Sequence, residues 1–129
     1  MTELEEARSM FEKDAYAMMT GIEIDVVGDR YAKCSLKLNE RHCNAIGQVM
    51  GGVMYTLADF TFAVAANFKQ NRTVTTVSQI NYLSPVKGDT LYGESKLIRD
   101  GKRNCFYQIR ITDNLGTEIA IVSVNGTHL

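Results

Sequence analysis

The sequence predicts an α+β fold in which a six-stranded antiparallel sheet wraps around one long helix. The helix is predicted from Gly51 to Phe68, a segment whose only charged residue is Asp59, because a helix that is apolar on nearly every side is normally buried. Two strand-like segments precede this helix and four follow it. Short turn sequences join most of these segments, which favours antiparallel pairing around the helix.

The chain is predicted to begin with a helix from Leu4 to Met19, where apolar residues recur at helical spacing. Gly21 is expected to end this helix. Two strands are predicted next, at Ile22–Val27 and Tyr31–Leu38, with a turn at residues 28–30 between them. In the second strand apolar and polar residues alternate, as expected for a strand with one buried face.

The four strands after the long helix are separated by turn sequences that contain Gly, Asp and Asn. They are predicted at Thr73–Leu83, Thr90–Arg99, Arg103–Thr112 and Thr117–His128. The only proline, Pro85, lies just after the first of them, where it ends strand pairing without interrupting a central strand. The order of the elements therefore agrees with the α+β fold.

Length and charge limit the possible functions. The 129 residues suffice for one domain with a substantial core, so a single domain over residues 1–129 is expected. The net charge of −1 favours neither nucleic acid nor an anionic membrane as a partner. The acidic first ten residues do not resemble a secretory signal, and no stretch approaches the about 18 apolar residues of a membrane span. We therefore expect a cytoplasmic protein.

The cysteines suggest neither a disulfide framework nor a metal site. There are three of them, Cys34, Cys43 and Cys105, and no two have the spacing of a zinc motif. Cys34 and Cys105 are expected to act as small apolar residues on strand faces. No metal ligand set is predicted.

Three short segments resemble a known family. They are Asn44-x-x-Gly47-x-x-x-Gly51-Gly52, Leu57-Ala58-Asp59 and Tyr82-Leu83-Ser84-Pro85-Val86-x-Gly88-Asp89. In this order and at this spacing they resemble hotdog-fold acyl-CoA thioesterases of the phenylacetate-pathway (PaaI-like) group. Residues 11–24 and the turn at residues 99–103 are also similar to that group, so the resemblance covers nearly the whole chain.

The resemblance implies a hotdog fold and hydrolysis of an acyl-CoA to the free acid and coenzyme A, in a homodimer or a homotetramer built as a dimer of dimers. It implies that Asp59 is the nucleophile or general base, that Gly51 supplies an oxyanion-binding N–H, and that Asn44 helps to position water or substrate. Coenzyme A would enter as part of the substrate, with no metal or redox cofactor. The family usually has His before the paired glycines, where this chain has Met50.

The residues themselves support part of this chemistry. Two glycines that open a helix leave unpaired N–H groups at the positive end of its dipole, where an oxyanion could bind, although a tight turn or close packing would explain them equally well. A 100° rotation per residue places Asp59 on the side of Tyr55, Phe62 and Ala66, which we interpret as a face hidden from solvent. A structural or capping role for Asp59 is the alternative.

Gly51 and Asp59 are eight residues apart, which is about 12 Å along one helix. Both cannot touch one reacting carbonyl, because contacts in a reactive complex are about 3–3.5 Å. If both act, each must come from a different subunit at a two-fold interface with antiparallel helices.

Several further residues are candidates for binding the substrate. Met50 and Gly52 flank Gly51, and Thr75 and Thr76 could reach the site from the following strand, although strand threonines usually serve packing. Arg99, Lys102 and Arg103 surround one turn and could contact coenzyme A phosphates, or could simply be solvated. His42 is expected to be structural or exposed, and His128 is expected to lie at the surface. No serine or cysteine triad signature occurs.

Two other functions remain open from the sequence. One is a non-catalytic acyl-CoA-binding or regulatory protein, which Met50 makes plausible because a fold can host several functions. The other is a hotdog dehydratase, whose usual Asp-His pair is not evident here. Thioester hydrolysis remains the function that the residues favour.

Overall fold

The computed structural model describes all 129 residues, and it confirms the predicted α+β fold. The helices are α1 (Glu3–Phe11), α2 (Ala15–Thr20) and α3 (Gly51–Asn67), and a 3-10 turn spans Glu40–His42. The strands are β1 (Ile22–Gly28), β2 (Tyr31–Lys37), β3 (Thr73–Tyr82), β4 (Thr90–Asp100), β5 (Asn104–Asp113) and β6 (Glu118–His128). All strand pairs are antiparallel, and the order in the sheet is β1-β2-β4-β5-β6-β3.

The prediction of one helix from Leu4 to Met19 is wrong, because the chain breaks it at residues 12–14. Asp14 begins α2, and its carboxylate accepts a hydrogen bond of 3.1 Å from the N–H of Ala17. An aspartate is more stable as such a cap than inside a helix, where it competes with the backbone for hydrogen bonds. Gly21 ends α2 in a left-handed conformation with a φ of 99°, as expected.

The core lies between α3 and the concave face of the sheet. Apolar side chains of α3 such as Leu57, Phe60 and Val64 are buried against the strands. The helix approaches β4 closely at Gly93, where a Cβ atom would lie 2.7 Å from the Thr61 hydroxyl oxygen. None of the helices is both long and apolar enough to cross a lipid bilayer.

The two edge strands of the sheet, β1 and β3, differ in what lies beside them. The β1 edge lies beside α1, whose Arg8 donates a hydrogen bond of 2.9 Å to the carbonyl of Ile24. The β3 edge has no neighbour in the chain along its ten residues, and Val77 on it is 59% exposed. A long unpaired edge of this kind is a template for pairing with another chain.

His128 is not a surface residue, so the prediction for it is wrong. Its ring is mostly buried, with Nδ1 2.7 Å from the Thr73 hydroxyl and Nε2 2.7 Å from the Asp100 carboxylate. The other oxygen of Asp100 accepts a hydrogen bond of 2.6 Å from Arg30. This chain of polar contacts fastens the end of β6 to β3 and to the β4–β5 turn.

Asp113 organises the turns at the opposite end of the sheet. Its carboxylate is 3% exposed and accepts hydrogen bonds of 2.9–3.0 Å from the N–H groups of Lys87, Gly88, Leu115 and Thr117. Burial alone raises the pKa of this carboxyl, but the hydrogen bonds outweigh it and lower the pKa to about 2.

Asp113→Asn is expected to lower the free energy of unfolding at pH 7 by about 1–2 kcal/mol, because an amide cannot replace the charge that these N–H groups stabilise. The carboxylate has a lower pKa folded than unfolded, so its stabilisation is present above about pH 4 and is lost as the pH falls towards 2. Urea unfolding of both proteins at pH 7 and pH 3 measures this. A difference that does not shrink at pH 3 would contradict the assignment.

Candidate active site

The first turn of α3 presents two free hydrogen-bond donors. The N–H groups of Gly51 and Gly52 have no hydrogen-bond partner within the chain. Met50 is the residue immediately before this helix, at the N-cap position, and its exposed side chain makes no hydrogen bond to the helix. The backbone N–H of Met50 donates a hydrogen bond of 2.9 Å to the carbonyl of His42. Free N–H groups at the positive end of a helix can stabilise a developing oxyanion.

Asn44 shapes the loop that leads into α3. Its side-chain oxygen accepts hydrogen bonds of 3.1 Å from the N–H groups of Ile46 and Gln48, which close a tight turn at Gly47. The side-chain amide nitrogen of Asn44 makes no hydrogen bond within the chain. The structure therefore gives Asn44 a structural role, and its contact with water or substrate stays a prediction.

His42 is structural, as the sequence favoured. Its side chain is buried, and Nδ1 accepts a hydrogen bond of 3.0 Å from the N–H of Asn39. The other ring nitrogen lies 2.8 Å from the carbonyl oxygen of Thr20. Both nitrogens are thus occupied, and His42 fixes the loop beneath Met50 rather than facing a ligand.

Tyr82, at the end of β3, also lies beside Gly51, and the sequence did not single it out as a site residue. A Cβ atom on Gly51 would lie 2.8 Å from the Tyr82 hydroxyl oxygen and 3.0 Å from the ring carbon that bears it. The hydroxyl makes no hydrogen bond within the chain, and the residue is 51% exposed. Gly51 must therefore be glycine for Tyr82 to remain where it is.

Asp59 lies in the middle of α3 and is exposed in the single chain, so the prediction of a hidden face is wrong for the chain alone. Phe62 and Ala66 on nearly the same side are buried because the second half of the helix packs under the sheet, where Phe62 meets Tyr107 edge-on. Nothing in the chain covers Asp59 itself in the same way.

The Asp59 carboxylate makes no hydrogen bond or ion pair. The carboxylate is exposed, but the neighbouring protein partly desolvates it, and this raises its pKa. The negative charge of Asp14 raises the pKa further. A carboxylate without a partner and with a raised pKa has the properties of a general base or nucleophile.

A groove runs beside the N-terminal half of α3. Its cavity of about 570 Å³ lies between α2 and α3, and Met50, Gly52 and Thr56 form part of its wall. Tyr16 and Met19 of α2 contribute exposed apolar surface on the other side. A cavity of this size can hold a small ligand, and Gly52, one of the two residues with a free N–H, belongs to its wall.

Gly51 and Asp59 do not meet within one chain. Both belong to the single continuous helix α3, so about 12 Å separates them along its axis. The helix and β3 run in opposite directions, since Tyr55 bonds to Ser78 while Asn67 bonds to Thr73.

Thr75 and Thr76 therefore lie beside the second half of α3, at the Asp59 end and far from Gly51. A β-bulge interrupts the pairing with β6 here, and the Thr76 hydroxyl donates to the carbonyl of Asn125 at 3.1 Å. Both threonines are exposed on the free edge of the sheet. Their contact with a substrate stays a prediction.

The β4–β5 turn carries unpaired positive charge near the C-terminal end of α3. Arg99, Lys102 and Arg103 are exposed and form no salt bridge, and the adjacent carboxylate of Asp100 is bound by Arg30 and His128. A cavity of about 390 Å³ lies beside this turn, with Lys102 and Ala66 among its lining residues. These free cations could hold phosphate groups.

The structure thus sorts the predicted site residues into two groups. One group surrounds the start of α3 and contains Asn44, Met50, Gly51 and Gly52. The other lies toward the far end of α3 and contains Asp59, Thr75, Thr76, Arg99, Lys102 and Arg103. Within one chain the two groups lie at opposite ends of α3.

The chain is similar to known thioesterases in sequence and in structure. Residues 46–120 match the model of the thioesterase superfamily. The acyl-coenzyme A thioesterase PaaI of Escherichia coli is 29% identical over 116 residues, which cover 89% of this chain and 83% of that protein. A structure of the E. coli PaaI protein from the phenylacetic acid degradation operon superposes with a TM-score of 0.91 at 26% identity, covering 98% of this chain and 93% of the other. A hypothetical thioesterase protein of Streptococcus pneumoniae, solved with coenzyme A, is 24% identical, with a TM-score of 0.86 and coverage of 95% of this chain and 96% of the other.

Proposed function

Because the chain belongs to the thioesterase superfamily and has its hotdog fold, we propose that it hydrolyses an acyl-coenzyme A to the free acid and coenzyme A. The observation that carries this proposal is the pair of free N–H groups at Gly51 and Gly52 at the start of α3, where Gly52 lines the groove. The E. coli relative is named as an acyl-coenzyme A thioesterase, and the S. pneumoniae structure holds coenzyme A, which supports the same substrate class.

In the proposed reaction Asp59 acts on the thioester carbon in one of two ways. As a general base, it takes a proton from water while the water oxygen forms a bond to the carbon. As a nucleophile, its own oxygen forms that bond, and water later cleaves the resulting anhydride. In both cases the carbonyl oxygen becomes negative at the Gly51 N–H, the C–S bond breaks, and the coenzyme A thiolate leaves and takes up a proton. This chemistry requires no metal or redox cofactor.

We propose that the working unit is a homodimer, or a homotetramer built from such dimers, in which Gly51 of one subunit faces Asp59 of the other. The separation of about 12 Å along α3 requires this if both residues act on one carbonyl. Pairing of the uncovered β3 edges of two copies would remove the exposed edge and bring the two helices side by side.

Arg99, Lys102 and Arg103 are proposed to bind the phosphates of coenzyme A. In an antiparallel dimer the charged turn at the C-terminal end of one α3 approaches the N-terminal end of the partner helix, where Gly51 lies. Lysine and arginine bind phosphate when they are free of other acids, and these three are.

A panel of acyl-CoA substrates with short, branched, long and aromatic acyl groups tests the proposal through release of free thiol. Turnover of at least one of them well above the rate without enzyme is expected. Tight binding of acyl-CoA without thiol release would instead favour the alternative of an acyl-CoA-binding or regulatory protein. Met50 favours that alternative, because its thioether offers no N–H donor where the resembled family has histidine.

Met50→His is expected to raise kcat/KM on at least one substrate of the panel, because a neutral imidazole can donate a hydrogen bond to the carbonyl and a thioether cannot. If Met50 instead contacts the acyl group in the groove, the same change raises KM for apolar acyl groups. The kinetics of both proteins across the panel separate these cases. Unchanged constants on every substrate would show that the Met50 side chain contacts neither part of the substrate.

A further inference from the structure

We propose that the hydroxyl of Tyr82 is a second donor to the oxyanion, acting with the Gly51 N–H on the same carbonyl oxygen. This inference rests on the proposed thioester hydrolysis and assigns it a further catalytic residue. It arises from a contact between two residues that are distant in the sequence, at the end of β3 and the start of α3.

The position of the hydroxyl is the first argument. The Tyr82 oxygen would lie 2.8 Å from a Cβ atom on Gly51, so it is within about 4.5 Å of the Gly51 Cα atom. An oxyanion bound to the Gly51 N–H at about 2.9 Å can therefore also be reached by this hydroxyl. The oxyanion would lie between the two donors.

The second argument is that the hydroxyl is free. Tyr82 makes no side-chain hydrogen bond in the chain, whereas Tyr55 bonds to Ser78 and Tyr31 bonds to Glu94. A phenol that is half exposed and aimed at the start of a helix can donate its hydrogen to an incoming oxygen.

The third argument is that the residues on either side of Gly51 in the sequence offer no side-chain donor. Met50 precedes the glycine without an N–H or O–H on its side chain, and both ring nitrogens of the neighbouring His42 are occupied. The backbone of Tyr82 is held in register opposite Ala120 of β6, and the next N–H donates to the carbonyl of Ile119. These hydrogen bonds fix the backbone that carries the Tyr82 side chain, which favours a preorganised position of the hydroxyl beside Gly51.

The test is Tyr82→Phe, which keeps the ring against Gly51 and removes only the oxygen. On an acyl-CoA that the wild type hydrolyses, kcat is expected to fall about 100-fold while KM changes less than about twofold, because the contact forms in the transition state. The melting temperature is expected to stay the same. Tyr92→Phe is the matched control, since the Tyr92 hydroxyl also makes no hydrogen bond but lies on β4 beside Lys33, and its kinetics should equal the wild type.

Gly51→Ala adds a second readout. Its methyl group meets the Tyr82 oxygen first, so it should displace the hydroxyl and lower kcat in the wild type. In the Tyr82→Phe background, Gly51→Ala should lower kcat much less, because there is no hydroxyl left to displace. The fold-decrease in kcat of the double variant should therefore be smaller than the product of the two single fold-decreases.

The outcomes are distinct. A kcat for Tyr82→Phe within about twofold of the wild type, or a rise in KM alone, overturns the role of Tyr82 and leaves the proposed hydrolysis intact. Losses that multiply in the double variant overturn the shared contact. A wild type that hydrolyses no acyl-CoA overturns the proposed function, and the role of Tyr82 falls with it.

Discussion

Asp59→Asn is expected to lower kcat for acyl-CoA hydrolysis by about 100-fold or more while the protein stays folded. The amide has the shape of the carboxylate but can neither accept a proton at neutral pH nor attack the thioester. Because Asp59 makes no hydrogen bond or ion pair within the chain, its replacement removes no structural contact there. Thiol-release kinetics and a thermal melt measure the two effects separately.

The pH dependence gives this prediction a second measurement. The reaction needs the charged carboxylate, so activity should fall as the pH drops through the pKa of Asp59. Burial raises that pKa from its ordinary value, and Asp14 raises it further, so the acidic limb should lie at a higher pH than for an unperturbed aspartate. Asp14→Asn should move this limb to lower pH. It also weakens the cap of α2, so its melting temperature must be measured too.

Near wild-type turnover of Asp59→Asn would reject the assignment of the carboxylate. A large loss of stability with unchanged specific activity would instead show that Asp59 is structural, which is the alternative that the sequence left open. The exposed position of Asp59 in the single chain argues against that alternative unless the partner subunit supplies the missing contacts.

The fold could be predicted from the sequence because its signals are local. α3 is apolar along its length, and each strand is bounded by turn residues, so the observed ends of α3 and of all six strands lie within one residue of the predictions. The apolar spacing does not predict the break at residues 12–14, because this helical spacing continues through it. Only the preference of Asp14 for a capping position gave a signal.

The parts of the site that depend on distant contacts could not be predicted. The partners of His128 lie 55 and 28 residues away, and nothing near His128 in the sequence indicates them. Tyr82 was visible only as part of a family-like segment, and its approach to Gly51 follows from the packing of β3 on α3. Asp59 could be identified because it is the single charge on an apolar helix, yet its exposure depends on how the sheet covers that helix.

The largest gain in activity is expected from combining two inactive proteins. In the proposed dimer Asn44 and Gly51 act from one subunit and Asp59 from the other, so a heterodimer of Asn44→Ala with Asp59→Ala has one intact site and one site with both defects. Each variant alone should be nearly inactive, the first because the turn before α3 loses its hydrogen bonds and the second because the carboxylate is gone. Random re-pairing of equal amounts yields about half heterodimers, so about a quarter of the wild-type activity should return.

A matched control carries the same two substitutions, but both in one chain. The double variant Asn44→Ala/Asp59→Ala is mixed with an equal amount of wild type. If the groups act across the interface, this pairing damages both sites of every heterodimer. About a quarter of the wild-type activity should then remain, whereas about half remains if each chain holds a complete site. The chains must be co-expressed or refolded together, with the heterodimers verified by mass. Verified heterodimers without recovered activity would mean that Gly51 and Asp59 do not act on one carbonyl, because the helix between them holds the two about 12 Å apart in any single chain.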